Sequence, residues 1–237
     1  MIDESGIKIT AKSLTFSNFS GPTLNVLIEN NSGIDVTVQC RNASVNGYMV
    51  DTIMSEDVLN DKKANSSIIF LKDSLKDNNI STIADLEFSF IAFSSGNKER
   101  FLENTKVKLN TSAAATYEYT FDDSGDLIYN ENGIKIVAKG ITSKNRDTCV
   151  IVYIENNTDI DWTVQARNTS VNGFMIDPIF SPVVTSGKHL IGFIKFSNSK
   201  LTENNIDEIV EVETSFVFFE NGNNSNRFNT DVLKIKI

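Results

Sequence analysis

The stretch IENNSGIDVTVQCRNASVNGYMVD, residues 28–51, returns as IENNTDIDWTVQARNTSVNGFMID at residues 154–177. Seventeen of the 24 aligned positions are identical. A repeat this close within one chain of 237 residues indicates two copies of one structural unit. We therefore predict two domains, residues 1–110 and 133–237, separated by an acidic linker at residues 111–132.

The pattern within each copy favours an all-β fold. From Gly6 to Phe16 apolar and polar residues alternate, as in a strand with one wet face. The 16 Phe residues and the many β-branched residues suit a pleated surface. Turn signals divide each copy into about seven such stretches, which predicts two tandem immunoglobulin-like β-sandwiches from an internal duplication. The single tryptophan, Trp162, is predicted to anchor a core.

Local signals predict further features. Val45-Asn46-Gly47-Tyr48 and its counterpart at Val171 predict tight hairpins, because Asn-Gly accepts the positive φ that such turns need. Ser55 to Asn65 is polar and is predicted to be a loop, as is its shorter counterpart around Pro182 to His189, which holds the only histidine. Phe228 to Ile237 is predicted to be one strand. In the linker, Tyr117 to Tyr129 alternates about a Ser-Gly pair and predicts a hairpin.

Charge and residue types exclude several functions. A net charge of −9 without a basic run argues against a nucleic-acid partner. With one His, no G-x-S-x-G motif and two cysteines, no usual catalytic set or cofactor site is predicted. Cys40 aligns with Ala166, and Cys149 with Thr23, so neither copy can close its own disulfide. Two buried thiols or one bridge between the copies are the alternatives. We expect no enzyme and no cofactor.

A polar set recurs in both copies and is the candidate binding site. Its members are Asp35, Gln39, Arg41 and Asn42 in the first copy and Asp161, Gln165, Arg167 and Asn168 in the second. Gln39 and Arg41 are expected on the face opposite Val36, Val38 and Cys40. The set either binds a protein or glycan, or it is structural. In the structural alternative, the Arg pairs with a carboxylate across the strand and the Asn satisfies a turn.

The linker carries a candidate calcium site at Asp122, Asp123 and Asp126. Oxygen ligands at alternate positions suit a hard cation, although an EF-hand would need Glu where Gly133 stands. A solvated turn is the alternative.

The repeat, the GIKI-AKG strand, the VNG hairpin and the L-x-x-NNI turn together resemble a family. It comprises the tandem immunoglobulin-like domains of unknown function in Gram-positive secreted and membrane-anchored proteins. DLIYNENGIKIVAKG, residues 126–140, is similar to the way such domains begin. The resemblance spans both copies and implies an extracellular or cell-envelope location, no known catalysis and a membrane link only through an upstream anchor.

Met1 is followed directly by IDESG, without a signal peptide, membrane span or lipidation motif. The alternatives are a cytosolic protein and one whose targeting segment was removed, and we favour the second.

The hypothesis that follows is a non-enzymatic cell-envelope or secreted binding or spacer module with an unknown protein or glycan partner. The alternatives are a calcium-stabilised adhesin segment and an enzyme accessory with a carboxylate site between the domains.

Overall fold

The structure is a computed structural model that describes residues 1–17, 19–96 and 99–237. Residues 18, 97 and 98, which fall within the predicted first domain, lie outside the described residues. The fold is all-β with several antiparallel sheets, as the sequence predicts. Within the described ranges the helices are short: α1 (Lys72–Asp77), α2 (Asn198–Glu203) and the 3-10 turn Ser112–Ala115. None of these helices is long and apolar enough to span a bilayer.

The chain divides into two compact units, Met1–Tyr119 and Thr120–Ile237. In its described residues, unit 1 has the strands β1 (Ile2–Glu4), β2 (Ile7–Ser17), β3 (Gly21–Asn30), β4 (Val36–Val45), β5 (Tyr48–Met49), β6 (Thr52–Ile53), β7 (Ser55–Val58), β8 (Lys62–Phe70), β9 (Asp85–Ser94) and β10 (Arg100–Asn110). Unit 2 has β11 (Asp126–Glu131), β12 (Ile134–Lys144), β13 (Asp147–Asn156), β14 (Trp162–Val171), β15 (Phe174–Met175), β16 (Val183–Val184), β17 (His189–Phe196), β18 (Glu211–Glu220), β19 (Asn223–Asn229) and β20 (Leu233–Lys236).

Two antiparallel sheets build each unit. In unit 1 the first sheet has the order β1-β2-β3-β8-β6, and the second has β10-β9-β4, with β5 and β7 also paired to β4. In unit 2 the first sheet is β11-β12-β13-β17, and the second is β15-β14-β18-β19, with β16 on β14 and β20 on β18. Strands from equivalent stretches of the repeat, such as β4 and β14, therefore take the same place in both units.

Period-two alternation explains how the sheets enclose their cores. Along β4, Val36, Val38 and Cys40 are buried, and the residues between them face outward. These side chains join residues of the first sheet in one apolar core in unit 1. In unit 2 Trp162 is buried, as predicted, and lies edge-on to Phe218 and to Phe228 at ring distances of 6.3 and 5.2 Å. Burying each large apolar side chain contributes about 1.5–3 kcal/mol to folding.

The Asn-Gly hairpins are confirmed. Asn46 and Gly47 have φ of 51° and 84°, and Asn172 and Gly173 have φ of 50° and 87°. The two residues form the tight turn that joins β4 to β5 in unit 1 and β14 to β15 in unit 2. Each Asn also reaches beyond its turn. The side-chain oxygen of Asn46 accepts from Ala84 N at 2.8 Å, and its amide donates to Thr82 O at 2.7 Å, which fixes the chain just before β9.

Three predicted segments differ in the structure, because local geometry overrides the residue pattern. Ser55 to Asn65 is not a loop but contains β7 and the start of β8. Val58 is buried in the core, and its two chain neighbours are exposed to solvent. The predicted strand from Phe228 to Ile237 is split into β19 and β20. The side-chain oxygen of Thr230 accepts from Phe216 N at 2.9 Å, which replaces a ladder bond and interrupts the strand. His189 is the first residue of β17, not part of a loop.

The linker hairpin predicted for Tyr117 to Tyr129 is also wrong. Residues 117–124 have no regular secondary structure, and β11 pairs with β12 through the turn at Asn132 and Gly133. These two residues have φ of 54° and 72°, so they supply the two-residue hairpin turn that Ser124-Gly125 was expected to make. The preceding segment is tied to side chains instead, since the Tyr119 hydroxyl donates to the buried Asp85 carboxylate and this hydrogen bond raises the pKa of Tyr119 to about 12.

Candidate functional site

A row of hydrogen-bonded side chains crosses the outward face of β4 and recurs on β14. In unit 1 the Gln39 amide donates to Ser55 Oγ at 3.1 Å, and Gln39 Oε1 accepts from the Arg41 guanidinium. In unit 2 Gln165 donates to Ser181 Oγ at 3.0 Å and accepts from Arg167. The row residues are Ser55, Gln39 and Arg41 in unit 1 and Ser181, Gln165 and Arg167 in unit 2. Both copies thus hold an arginine in place through a glutamine.

The arginines are exposed and the glutamines are half-buried, as alternation along the strand predicts. The structure corrects one part of the structural alternative, which expected a carboxylate partner. Within the described ranges, Arg41 and Arg167 donate to a glutamine amide oxygen rather than to a carboxylate, and the cross-strand neighbour of each arginine is a serine, Ser89 or Ser215. A guanidinium has five donors, and the glutamine accepts from one of its nitrogens.

Apolar side chains lie beside each row on the neighbouring strand. In unit 1 Gln39 pairs across the ladder with Ile91, and Thr37 pairs with Phe93. In unit 2 Gln165 pairs with Val217 and Thr163 with Phe219. All four apolar residues are half-buried. We call the row and these neighbours the outer face of the second sheet.

Acidic groups on this face have partners of their own. Glu87 forms an ion pair with Lys108 at 2.9 Å, and Glu213 forms one with Lys234 at 3.2 Å. Asp57 accepts a hydrogen bond from Thr37 Oγ1 at 2.6 Å. These three carboxylates are therefore paired with lysine or threonine.

The remaining members of the predicted site hold or bend the backbone around the row. Asp35 Oδ1 accepts from Asn60 N at 2.8 Å and Asp161 Oδ1 accepts from Ser186 N at 2.9 Å, so each aspartate fixes a loop backbone. Asn42 and Asn168 have φ of 51° and 50° and lie at a β-bulge that follows each arginine. The structure brings Gln and Arg of the predicted set together, whereas Asp and Asn shape the backbone around them.

Two of the three acidic residues of the candidate calcium site, Asp122 and Asp123, are held by hydrogen bonds and lysines instead. Asp122 Oδ1 accepts from Ser124 N at 3.0 Å and from Ser124 Oγ at 2.6 Å, and Lys139 Nζ lies 3.1 Å from Asp122 Oδ2. These bonds lower the pKa of Asp122 to about 2. Asp123 pairs with Lys135, and Asp126 lies in β11 opposite Ala138.

Because lysine ammonium groups supply the positive charge at Asp122 and Asp123, the calcium prediction is not supported by this arrangement. Among residues 1–17, 19–96 and 99–237, no three His, Cys, Asp or Glu side chains form a group that could hold a metal ion.

The reactive residue types are engaged in packing. His189 stacks on Phe121 at 3.6 Å between ring centres, and its Nδ1 lies 2.7 Å from the hydroxyl of buried Tyr153. Burial lowers the pKa of His189. Cys40 and Cys149 are free and buried, and burial raises the pKa of the Cys40 thiol to about 11. These thiols are poor nucleophiles near neutral pH.

An open groove of about 570 Å³ lies in unit 1 between the end of β2 and the residues that follow β10. Its lining is mainly apolar and includes Leu14, Phe16, Ile83 and Leu109, with Lys12 as a charged residue. The groove is separate from the row of Gln39 and Arg41.

Sequence reasoning missed a buried amide in each unit. Asn30 donates to Ile34 O at 2.7 Å and to Val58 O at 2.8 Å, and its oxygen accepts from Ser32 N and Ser32 Oγ. Asn156 makes the equivalent four bonds. The signal was present, since the Asn-Asn pair is identical in both copies of the repeat. Its first member, not its second, is the buried one.

Comparisons with known proteins identify no family. No family model matches the chain, and no curated protein matches it. Among solved structures, a YadV chaperone is similar at a TM-score of 0.29 and 8% identity, with 98% of this chain and 100% of that chain covered. The SafA pilin in complex with the SafB chaperone of Salmonella enterica is similar at a TM-score of 0.27 and 9% identity, with 94% of this chain and 95% of that chain covered. The exo-chitosanase CsxA of Amycolatopsis orientalis is similar at a TM-score of 0.25 and 9% identity, with 92% of this chain and 26% of that chain covered. Likenesses this distant carry no argument about function.

Proposed function

We propose that this chain is a non-enzymatic binding module of the cell envelope or of a secreted protein, made of two immunoglobulin-like sandwiches that arose by duplication. Each sandwich contributes one ligand-contact face, built around Arg41 in unit 1 and Arg167 in unit 2. The location is the one that the family resemblance implies. The engaged histidine and the buried thiols support a non-enzymatic role.

The observation that carries the proposal is an exposed arginine that recurs with its glutamine partner on the outward face of the second sheet in both units. On this face Thr37, Gln39, Arg41 and Phe93 recur as Thr163, Gln165, Arg167 and Phe219, while Ile91 is replaced by Val217.

The outer face of the first sheet has changed at three ladder positions, although its pair Lys8 and Glu29 recurs as Lys135 and Glu155. The pair Asn25 and Ser67 in unit 1 is replaced by Ile151 and Phe193 in unit 2, and Asn65 is replaced by Ile191. Surface positions usually tolerate substitution at a cost within about 0.5 kcal/mol, so stability alone does not keep an exposed arginine. A shared contact with a partner accounts for an exposed arginine and its glutamine that are retained in both units.

The test measures retention of the labelled chain on cell walls isolated from a Gram-positive bacterium, before and after protease removes the wall proteins. The variant replaces Gln39, Arg41, Gln165 and Arg167 with Ala. The control replaces Lys62 and Lys195, two lysines of the first sheets, with Gln. We expect saturable retention of wild type and control, and loss of retention in the variant. Equal retention of variant and wild type would overturn the proposal, as would no retention at all. Release of wall fragments by the wild type would show an enzyme.

A further inference from the structure

We propose that the ligand of the outer face is a protein segment that presents a carboxylate next to an apolar side chain. This inference rests on the binding role proposed above and names the chemistry of the partner. The carboxylate would bind Arg41 or Arg167, and the apolar group would pack on Ile91 and Phe93 or on Val217 and Phe219.

Charge pairing within the face indicates the carboxylate. The protein carries a net charge of −9, yet Glu87 and Glu213 of the second sheets form ion pairs with lysines. Each arginine is held by a glutamine oxygen instead. An arginine held by an amide keeps its full positive charge, and a planar guanidinium with free edges matches a carboxylate with two parallel hydrogen bonds. A partner carboxylate would complete the charge pairing of the face.

The row also fixes the direction of the arginine before any ligand binds. Ser55 holds Gln39 at 3.1 Å, and Gln39 holds Arg41, so each guanidinium is tethered at one nitrogen. The same arrangement recurs through Ser181 in unit 2. Tethering lowers the side-chain entropy that a long arginine loses on binding, which favours affinity.

The apolar neighbours favour a protein over a polysaccharide. Sugar hydroxyl groups need donors and acceptors around them, but the ladder neighbours of Gln39 and Thr37 are Ile91 and Phe93. Arginine and aromatic residues next to one another are typical of protein contact sites. The same pairing holds for Val217 and Phe219 in unit 2.

The experiment uses the full chain and three labelled polymers: the random peptide copolymer poly(Glu,Tyr), polyglutamate, and polygalacturonate as the acidic glycan. Binding is measured by fluorescence anisotropy at about 0.15 M salt, where surface repulsion from the acidic protein is largely screened. We expect poly(Glu,Tyr) to bind more tightly than polyglutamate, because it adds aromatic contacts. Polygalacturonate should bind most weakly.

Two variants test the role of the arginines. Arg41→Gln with Arg167→Gln should weaken poly(Glu,Tyr) binding by about tenfold or more, because a charge-assisted bidentate contact is lost in each unit. Arg41→Lys with Arg167→Lys keeps the charge but not the fork, so its affinity should fall between those of wild type and the Gln variant. Lys62→Gln with Lys195→Gln removes the same charge from the first sheets and should leave the affinity unchanged.

Three results would overturn the inference. They are equal loss in the Lys62 and Lys195 control, tightest binding to polygalacturonate, and no binding of poly(Glu,Tyr). In the last two cases, retention on cell walls that still depends on the arginines would leave the binding module standing with another ligand. If the chain is not retained on cell walls but still binds poly(Glu,Tyr), the proposed cell-envelope target is wrong. The proposed ligand, a carboxylate next to an apolar side chain, would then stand.

Discussion

At the scale of single residues, a buried asparagine in each unit ties loop to strand. Asn156 is fully buried and donates to Ile160 O and to Val184 O at 2.8 and 2.9 Å. Its side-chain oxygen accepts from Thr158. Replacing Asn156 with Ala leaves these backbone groups without partners inside the protein. We expect the free energy of unfolding of unit 2 to fall by about 2–4 kcal/mol.

The neighbouring Asn157 is the matched control because it is exposed and its amide donates to Glu155 at 2.9 Å. Asn157→Ala should cost about 0.5 kcal/mol or less. Urea unfolding followed by the fluorescence of Trp162 reports on unit 2, since this single tryptophan donates to Thr158 in the same loop. Equal losses in the two variants would show that the buried amide is not the stabilising group.

The Asp122 carboxylate makes a prediction about pH. Its hydrogen bonds to Ser124 and its pairing with Lys139 hold its folded pKa at about 2, below the ordinary value of 3.8. The stabilisation is therefore present above the unfolded pKa and is lost as the pH falls from about 4 to about 2. Asp122→Asn should lower stability near neutral pH by less than about 1 kcal/mol, because the pair is solvent-screened. The difference between wild type and variant should vanish near pH 2 in acid titrations of urea stability, and a constant difference would contradict the assignment.

At the scale of elements, the sequence predicts those features that depend on residues close together in the chain. The Asn-Gly turns were predictable because two consecutive positive φ values admit few residues, and the outward direction of Gln39 and Arg41 followed from alternation along one strand. The partner of Gln39 was not predictable, since Ser55 reaches it only through the register of β7 against β4. The split between β19 and β20 was missed because it depends on one hydrogen bond from Phe216 to the Thr230 side chain.

The segment before β11 gives a prediction about packing. Gly125 has a φ of 133°, and a Cβ at this position would lie 2.3 Å from Ala138 O in β12. Lys139 also donates to the carbonyls of Asp122 and Ser124 at 3.1 and 2.8 Å, so the segment lies close to this strand. Gly125→Ala would push the segment off β12. We expect a loss of about 2–4 kcal/mol in unfolding free energy, from overpacking added to backbone strain.

Gly140→Ala is the control for strain alone. Gly140 also has a positive φ, 108°, but a Cβ there meets nothing within 4 Å. Its substitution should cost about 1–2 kcal/mol, the price of an unfavourable φ. Limited proteolysis should also cut residues 117–125 faster in the Gly125 variant than in the Gly140 variant. Similar stability and similar cleavage would show that the contact with Ala138 O is not limiting.

At the scale of the whole molecule, charge governs the response to ions. Thirty-one acidic residues against 22 basic ones give a net charge of −9. Self-repulsion of this size opposes the compact state, and salt weakens it by screening. Two of the three aspartates of the linker are already neutralised locally, since Lys139 lies against Asp122 and Lys135 pairs with Asp123.

These charges predict how calcium and sodium compare. The melting temperature of the whole chain should rise when sodium chloride is raised from about 0.01 to about 0.2 M, because the Debye length falls from about 30 Å to below 10 Å. Calcium chloride at matched ionic strength should add no more than a degree or so, because stabilisation by a bound ion requires a site with affinity for the folded state. Differential scanning calorimetry with calcium or with chelator measures both effects. A calcium-specific rise that disappears when Asp122, Asp123 and Asp126 are replaced by Asn would contradict the lysine pairing and restore a metal site in the linker.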